Sequence, residues 1–93
     1  MAKLTRDEID RRVAALDGWR LDGSTIRKEF VFDGFPAAVA FVGRLVPGAE
    51  AADHHPDIEI HYRRVVLSYT THSEHGLTEK DMVGAANANA LAR

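Results

Sequence analysis

Two adjacent histidines followed by a proline form the part of this chain with the clearest potential for chemistry. His54 and His55 precede Pro56, and two carboxylates, Glu50 and Asp53, lie just before them. Proline pushes the preceding residue into extended backbone angles, so a helix must end by about His54 and a strand must begin soon after. The pattern therefore predicts two imidazoles at a helix-to-strand corner, where side chains can point into a cleft.

A third histidine, His72, closes the last predicted strand and would approach this corner if that strand neighbours the one beginning near Ile58. Histidine has an unperturbed pKa of about 6.5, so it both donates and accepts protons near neutral pH. Three imidazoles around one pocket suit general acid and general base catalysis. Because no nucleophile stands among them, elimination, hydration or tautomerisation fits better than acyl transfer. Glu50 is expected to share the helical face of His54 and to orient or charge-stabilise its ring.

Two other interpretations of these residues stay open at this point. A histidine pair in a small protein is often a solvated turn without a catalytic function. A metal site is the second alternative, since the group offers nitrogen and oxygen ligands, but its spacing matches neither HExxH nor a facial triad. The remaining histidines, His61 and His75, are expected to be exposed to solvent, and Trp19 is expected in the core.

Length and composition predict one small globular domain that spans residues 1–93. The chain is 45% hydrophobic and 28% charged, which is an ordinary balance for a folded protein. A net charge of -2 argues against general affinity for phosphate backbones, so no direct nucleic-acid partner is expected. With no cysteine, neither a disulfide framework nor a thiolate metal cluster is available. Oligomerisation is the remaining way to add buried surface to so small a core.

The beginning of the sequence predicts a cytoplasmic protein without a membrane partner. The stretch MAKLTRDEIDRR carries charges of both signs and lacks the apolar run of a secretory signal. No other stretch approaches the roughly 18 to 20 apolar residues that a membrane span needs.

Capping signals and apolar periodicity predict the elements that must position these side chains. Thr5 and Glu8 have the spacing of a capping box at the start of a first helix, which Gly18 is placed to end. Two strands follow up to about residue 32, although Lys28 interrupts the apolar face of the second. A long helix is expected over 35–53, with a kink or break caused by Pro47 that would divide it into two pieces.

The second half of the chain predicts two more strands and a final helix. DIEIHYRRVVLSYTTH alternates apolar and polar residues, which favours two strands, and Tyr62 and Tyr69 are expected to be half-buried there. Thr78 and Asp81 repeat the capping pattern of the first helix. Hairpins separated by a helix favour an α+β fold: a two-layer sandwich, with a four-stranded antiparallel sheet and the helices packed on one face. An uncovered edge strand would invite pairing with a second chain.

Seven residues agree in identity and spacing with one known signature: Glu50, His54, His55, Pro56, Tyr62, His72 and Asp81. Through them the chain resembles the pterin-4a-carbinolamine dehydratase family. The likeness extends to GW at residues 18–19, to FDGF before the long helix and to GLTEKD before the last one, so it covers nearly the whole chain. The resemblance implies the same sheet-and-helix fold, with dimers formed through the sheet and, in some members, tetramers formed through helices.

The resemblance also implies a reaction. The family removes water from 4a-hydroxytetrahydropterin to give the quinonoid dihydropterin, which recycles the pterin cofactor of aromatic amino acid hydroxylases. No metal or organic cofactor is expected. By position, His54 and His72 would exchange protons at the ring nitrogen and the leaving hydroxyl, and His55 would hold that hydroxyl. The expected substrate-binding residues are Glu50, Asp53, Pro56, Thr71, Ser73 and Asp81.

Three departures from the family pattern and one alternative function accompany this resemblance. Ile58 stands where many relatives have tryptophan, Pro47 interrupts a helix that is continuous in relatives, and Lys80 replaces an arginine of some relatives. The alternative is a binding module without enzymatic activity, because some family members stabilise transcription-factor dimers or act as assembly chaperones. The chaperone-like members tend to lack the histidine signature, so its presence here favours chemistry.

Overall fold

The computed structural model describes residues 2–93 and has the predicted order of elements. They are α1 (Arg6–Ala14), β1 (Arg20–Asp22), β2 (Thr25–Val31), α2 (Phe35–Ala52), β3 (Asp57–His61), β4 (Arg64–Tyr69) and α3 (Glu79–Leu91). A single 3-10 turn, His72–Glu74, lies between β4 and α3.

The four strands form one antiparallel sheet in the order β1-β2-β4-β3. Ile26 pairs with Tyr69 and Phe30 pairs with Val65, so the apolar positions of β2 and β4 share one face. All three helices contribute side chains to the hydrophobic cluster on that face, and Phe41 of α2 is fully buried in it. The α+β class, with a four-stranded antiparallel sheet covered on one side, is therefore confirmed.

The opposite face of the sheet is uncovered and polar. Arg27 donates a hydrogen bond to Ser68 on the neighbouring strand and lies 3.6 Å from the carboxylate of Glu59. Arg64 and Glu29 form a second cross-strand ion pair at 2.9 Å. Such exposed pairs contribute little stability individually, so the sheet depends mainly on its buried face.

Lys28 is tolerated on the apolar face of β2 because its ammonium group lies at the edge of the core and is hydrogen-bonded there. Its Nζ donates to the backbone oxygen of Asp17 and to Asn89 Oδ1, at 2.9 and 2.8 Å. The stem passes so close to Gly18 that a Cβ there would lie 2.7 Å from Lys28 Cε, and Gly18 has a φ of +80°. The positive φ favours glycine at this turn, whereas the flexible Lys28 side chain could move to accommodate a Cβ.

Both predicted capping boxes are confirmed, but the end predicted for α1 is wrong. Thr5 caps α1 with Glu8, and Thr78 caps α3 with Asp81. The first helix stops at Ala14, and Gly18 supplies its left-handed turn only later, at the start of β1. Between the helix and β1, the backbone N–H groups of Leu16 and Trp19 each donate to the carbonyl three residues earlier. These hydrogen bonds form turns and do not extend the helix.

The predicted break in α2 is also wrong. The helix runs without interruption through Pro47, over 18 residues. A proline removes one backbone donor and its ring crowds the carbonyl four residues earlier, which here belongs to Gly43. Ala38, Phe41 and Leu45 anchor the helix in the core on the N-terminal side of the proline. Tertiary packing therefore maintains a helix that the local sequence disfavours.

Candidate functional site

The histidine pair lies at the corner between α2 and β3, as the sequence predicted. Asp53 ends α2 in a left-handed conformation, with a φ of 49°, and β3 begins at Asp57. The two imidazoles occupy different environments, because the side chain of His54 is 11% exposed whereas that of His55 is 52% exposed. One ring is therefore held by the protein and the other is open to solvent.

His54 makes a short hydrogen bond to a buried carboxylate on α3. Its Nε2 lies 2.6 Å from Asp81 Oδ1, and Asp81 is fully buried. The other oxygen, Oδ2, accepts from Thr71 Oγ1 at 2.8 Å and from the backbone N–H of Thr78 at 2.9 Å. An ionised carboxylate offers only acceptors, so with Asp81 in this form the hydrogen of the contact belongs to His54. Nε2 therefore carries a hydrogen, and Nδ1 is left as the nitrogen that can exchange a proton with a ligand.

Asp81 consequently has a second role that the sequence did not indicate. The predicted contact with the amides of α3 is present, but the same carboxylate also orients the ring of His54. Its burial means that a ligand would meet Asp81 only through His54. The capping pattern identified this residue, whereas its contact with a histidine 27 positions away depends on how α2 and α3 pack.

Glu50 contacts a different histidine from the one expected. Its Oε2 lies 2.6 Å from His55 Nε2, so the expectation that it would orient His54 is wrong. The left-handed conformation of Asp53 ends the helical spacing, so the residue four positions after Glu50 no longer shares its face and His55 reaches it instead. Asp53 itself is exposed. Pro56 is half-buried and lines a small apolar cavity of about 200 Å³ together with His55 and Ile58.

His72 lies beyond the end of β4 rather than within it. The strand ends at Tyr69, Thr71 pairs with Gly76 in an isolated bridge, and His72 begins the 3-10 turn that this bridge closes. His72 and Ser73 are both exposed. Thr71 is buried and bonded to Asp81, so the backbone of His72 follows directly after a member of the His54 network. The convergence of the His72 ring with the other two remains a prediction.

A cavity of about 310 Å³ separates α2 from α3, with His54 and Tyr69 among its lining residues. We call this cavity the slot. Its α2 wall consists of small or aliphatic residues, and its α3 wall carries Lys80, Val83, Gly84 and Asn87. Lys80 Nζ reaches the backbone oxygen of Ala52 at 3.4 Å, which bridges the two walls.

Tyr69 is the residue of the slot that sequence reasoning missed. It is 4% exposed, and its ring stacks against that of His54, with centroids 5.9 Å apart and planes 21° apart. Burial raises the pKa of the Tyr69 hydroxyl to about 12, with a smaller contribution from the negative charge of Asp81. The signal was available in the alternation of Val65, Leu67 and Tyr69, which places all three on the helix-covered face. Tyr62, by contrast, is 71% exposed in the hairpin turn.

Two further features of residues 2–93 bear on the expectations above. No three histidine or acidic side chains of this part of the chain cluster closely enough to hold a metal ion. Within the same range, no helix combines the length and the hydropathy needed to cross a membrane.

Comparison with known proteins gives one consistent family. Residues 2–91 match the family model described as pterin 4 alpha carbinolamine dehydratase. A relative from Sulfolobus acidocaldarius is 43% identical over 96% of this chain and 98% of its own, and one from Roseiflexus castenholzii is 48% identical over 98% and 99%. Both carry the provisional name pterin-4-alpha-carbinolamine dehydratase.

Solved structures agree with this assignment and add two functional descriptions. The crystal structure of a transcriptional coactivator/pterin dehydratase from Brucella melitensis superposes with a TM-score of 0.93 at 40% identity, covering 98% of this chain and 99% of that one. A pterin dehydratase-like protein identified as a RuBisCO assembly factor in the alpha-carboxysome gives a TM-score of 0.70 at 27% identity, covering 81% and 89%.

Proposed function

The chain belongs to the pterin 4 alpha carbinolamine dehydratase family, and we propose that it is a hydro-lyase that converts 4a-hydroxytetrahydropterin to the quinonoid dihydropterin. The observation that carries this proposal is the half-buried His54, oriented by a fully buried carboxylate and bordering a slot of about 310 Å³. A solvated turn would not need a buried partner, so this arrangement favours chemistry over the structural alternative.

The reaction needs one proton donated and one removed. The bond from carbon 4a to its hydroxyl breaks, and the leaving oxygen takes up a proton to depart as water. The neighbouring nitrogen, N5, loses its proton as its electron pair forms the new double bond to carbon 4a. The protons balance, no oxidant or reductant is consumed, and a positioned acid and base typically contribute about 10² to 10⁴ each in rate.

We assign His54 and His72 to these two proton transfers and His55 to holding the hydroxyl. Supporting this assignment, Asp81 occupies Nε2 of His54 and leaves Nδ1 to exchange a proton. Glu50 orients the exposed ring of His55 through a 2.6 Å contact.

Four further residues are proposed around the pterin. Ser73 would bind its flat edge through its hydroxyl and backbone groups. Thr71 would support that edge from beneath, since its own hydroxyl is buried and donates to Asp81. Asp53 would add negative charge near the imidazoles, and Pro56 would contribute an apolar contact beside His55. In this proposal Asp81 positions His54, since its burial keeps it from direct contact with a ligand.

The wider context of the proposal is cofactor recycling. The product would return to the tetrahydropterin pool used by aromatic amino acid hydroxylases, in the cytoplasm, without a metal or organic cofactor in the dehydratase itself. The protein would act as a homodimer or homotetramer. Its exposed apolar side chains on α2 and β3 support self-association.

The direct test measures the decay of chemically generated 4a-hydroxytetrahydropterin with wild type, His54→Ala and His61→Ala. Wild type should accelerate the decay, and His54→Ala should lose about 10² to 10⁴ of that acceleration. His61 is a matched control, because it is exposed on the polar face of β3 and its ring is paired with the exposed Glu59. Circular dichroism should show all three proteins folded.

A binding module without enzymatic activity is the alternative outcome of this test. If folded wild type and His54→Ala both match the buffer rate, the dehydratase proposal fails. The transcriptional and assembly roles described for the two structural relatives would then gain support.

A further inference from the structure

The floor of the slot holds a hydroxyl group that no residue of the described chain uses. Tyr69 makes no side-chain hydrogen bond within residues 2–93, although the residue is 4% exposed. Among residues 2–93 the one fully enclosed side-chain polar atom that lacks a hydrogen bond is Glu79 Oε2, which is ion-paired with Arg12. The Tyr69 hydroxyl is therefore not fully enclosed and retains access to the slot. A buried phenol without a partner costs stability unless something else bonds to it.

The helix α3 is built to pass close over this hydroxyl. A Cβ at Gly84 would lie 2.7 Å from Tyr69 Cε1 and 3.1 Å from its oxygen. Any larger residue at position 84 would therefore displace the ring or cover its hydroxyl. On the other wall, a Cβ at Gly48 would lie 3.1 Å from Asn87 Nδ2. The two glycines keep the slot narrow and its lining small.

The shape and lining of the slot select a class of ligand. Its volume of about 310 Å³ is at the lower end of the range for small-molecule pockets, which suits a bicyclic ring more than an extended molecule. Alanine and glycine on α2 offer flat surfaces for the faces of such a ring. Polar groups come from His54 and Tyr69 on the floor and from Lys80 and Asn87 on the α3 wall.

We propose that the Tyr69 hydroxyl donates a hydrogen bond to the carbonyl oxygen at position 4 of a pterin ring that enters the slot beside His54. His55 and His72 are not among the residues that line the slot, so in this proposal they reach carbon 4a from the mouth of the slot. This inference rests on the proposed dehydratase function. The carbonyl carbon is bonded directly to carbon 4a, the reacting atom. A pterin placed with carbon 4a at His54 can present its 4-oxygen to Tyr69, because the two rings stack and both line the slot. Tyr69 thereby fixes which edge of the ring faces the acid and base.

The protonation state of Tyr69 agrees with a donor role. Burial raises the pKa of its hydroxyl to about 12, so the group keeps its proton throughout the neutral range and has a hydrogen to donate to a carbonyl. Its ring also contacts that of Trp19, with centroids 5.8 Å apart, which helps to hold the phenol in place.

The test compares Tyr69→Phe with wild type in the full chain, using both turnover and binding. Loss of one hydrogen bond should raise KM about three- to tenfold. It should weaken binding of 7,8-dihydropterin, which has no hydroxyl to lose, by a similar factor in titration calorimetry. The midpoint of thermal unfolding should stay the same or rise, because the removed hydroxyl has no protein partner. A purely structural role would lower that midpoint and leave KM unchanged.

A second ligand tests the position of the hydrogen bond. An analogue, 2-amino-7,8-dihydropteridine, carries hydrogen instead of oxygen at position 4, so Tyr69→Phe should not weaken its binding further. Equal weakening for both ligands would overturn the assignment to the 4-oxygen. Tyr62→Phe is the matched control, since Tyr62 is exposed in the hairpin turn, and it should leave KM and both affinities unchanged.

The outcomes separate this inference from the function on which it rests. If wild type neither accelerates the decay nor binds the dihydropterin, the dehydratase function itself fails. If wild type does both, and Tyr69→Phe equals it in KM and in affinity, only the role of Tyr69 is overturned.

Discussion

At the scale of single residues, the two imidazoles of the HHP motif differ because their carboxylate partners differ in burial. His54 is bonded to Asp81, which is fully buried, whereas His55 is bonded to Glu50, whose side chain is 69% exposed. A buried hydrogen bond fixes the orientation of a ring, while an exposed pair contributes little and exchanges readily with water. We therefore expect His54 to be the more sensitive of the two to changes in its surroundings.

Replacing Asp81 with asparagine should reduce kcat by about 10²-fold or more. An amide at this position can donate to His54 Nε2, which would transfer the ring hydrogen to Nδ1 and remove the proton-exchanging nitrogen. The same change should lower the free energy of unfolding by about 1 to 3 kcal/mol, because Thr71 and the Thr78 amide lose a charged acceptor. Steady-state kinetics well below the unfolding midpoint separate the two effects.

The control for this prediction is Asp33→Asn, an exposed aspartate in the loop before α2. It should leave kcat and stability unchanged. If Asp81→Asn loses stability but keeps the kcat of wild type, Asp81 only caps α3 and does not position His54.

At the scale of elements, the capping residues at helix starts predicted the structure better than the proline and glycine expected to interrupt or end helices. Thr5 with Glu8 and Thr78 with Asp81 each satisfied orphan amides locally, so the helix starts could be predicted from a few neighbouring residues. Pro47 was predicted to kink or break α2 and Gly18 was predicted to end α1. In the structure α2 is continuous and α1 ends earlier, at Ala14. A proline or glycine destabilises a helix locally, but contacts with residues distant in the sequence determine whether the helix forms nevertheless.

Replacing Pro47 with alanine should therefore stabilise the protein. Alanine restores the missing backbone donor and removes the crowding by the ring in the interior of α2, where proline costs about 3 kcal/mol relative to alanine. We expect urea denaturation to show an increase of about 1 to 3 kcal/mol in the free energy of unfolding. Pro47 is exposed, so no buried contact is lost.

Pro36 provides a matched comparison, because it lies in the first turn of the same helix, where a backbone donor has no partner in any case. Pro36→Ala should leave the free energy of unfolding unchanged or slightly reduced. Equal effects of the two substitutions would contradict the account of α2 given above.

At the scale of the whole molecule, apolar side chains remain exposed on one side of the protein. Phe35, Val39 and Val46 lie along α2, and Ile58 and Ile60 lie on β3, which is an edge strand with an unpaired side. Ile58 and Ile60 pair with Leu67 and Val65 of β4, so they continue the core-facing side of the sheet beyond the helices. An apolar surface next to an open strand edge is typical of a protein that associates with itself.

The substitution Val39→Glu should reduce the molecular mass in solution. A charge placed at a buried contact between chains leaves an unpaired carboxylate without water, which disfavours association. Analytical ultracentrifugation should show wild type as a dimer or tetramer and the variant as a smaller species. Val31→Glu, at an exposed site on the polar face of the sheet, serves as the control and should keep the mass of wild type. An unchanged mass for Val39→Glu would exclude this side of α2 from the interface.

The sequence by itself determined the order of the elements, the class of the fold, the capped helix starts and the corner at which His54 and His55 lie. All of these depend on residues close together in the chain: proline before a strand, a capping box, or the alternation of apolar side chains. Such signals act over one or two turns, so neighbouring residues are enough to recognise them.

Only the tertiary structure decided which carboxylate reaches which histidine, that α2 continues through Pro47 and which hydroxyl borders the slot. Asp81 meets His54 across 27 positions because α3 packs beside the end of α2, and Tyr69 reaches the slot because β4 runs beneath both helices. These contacts join side chains whose distance in the sequence carries no information about their distance in space. Their geometry follows from the packing of the whole core.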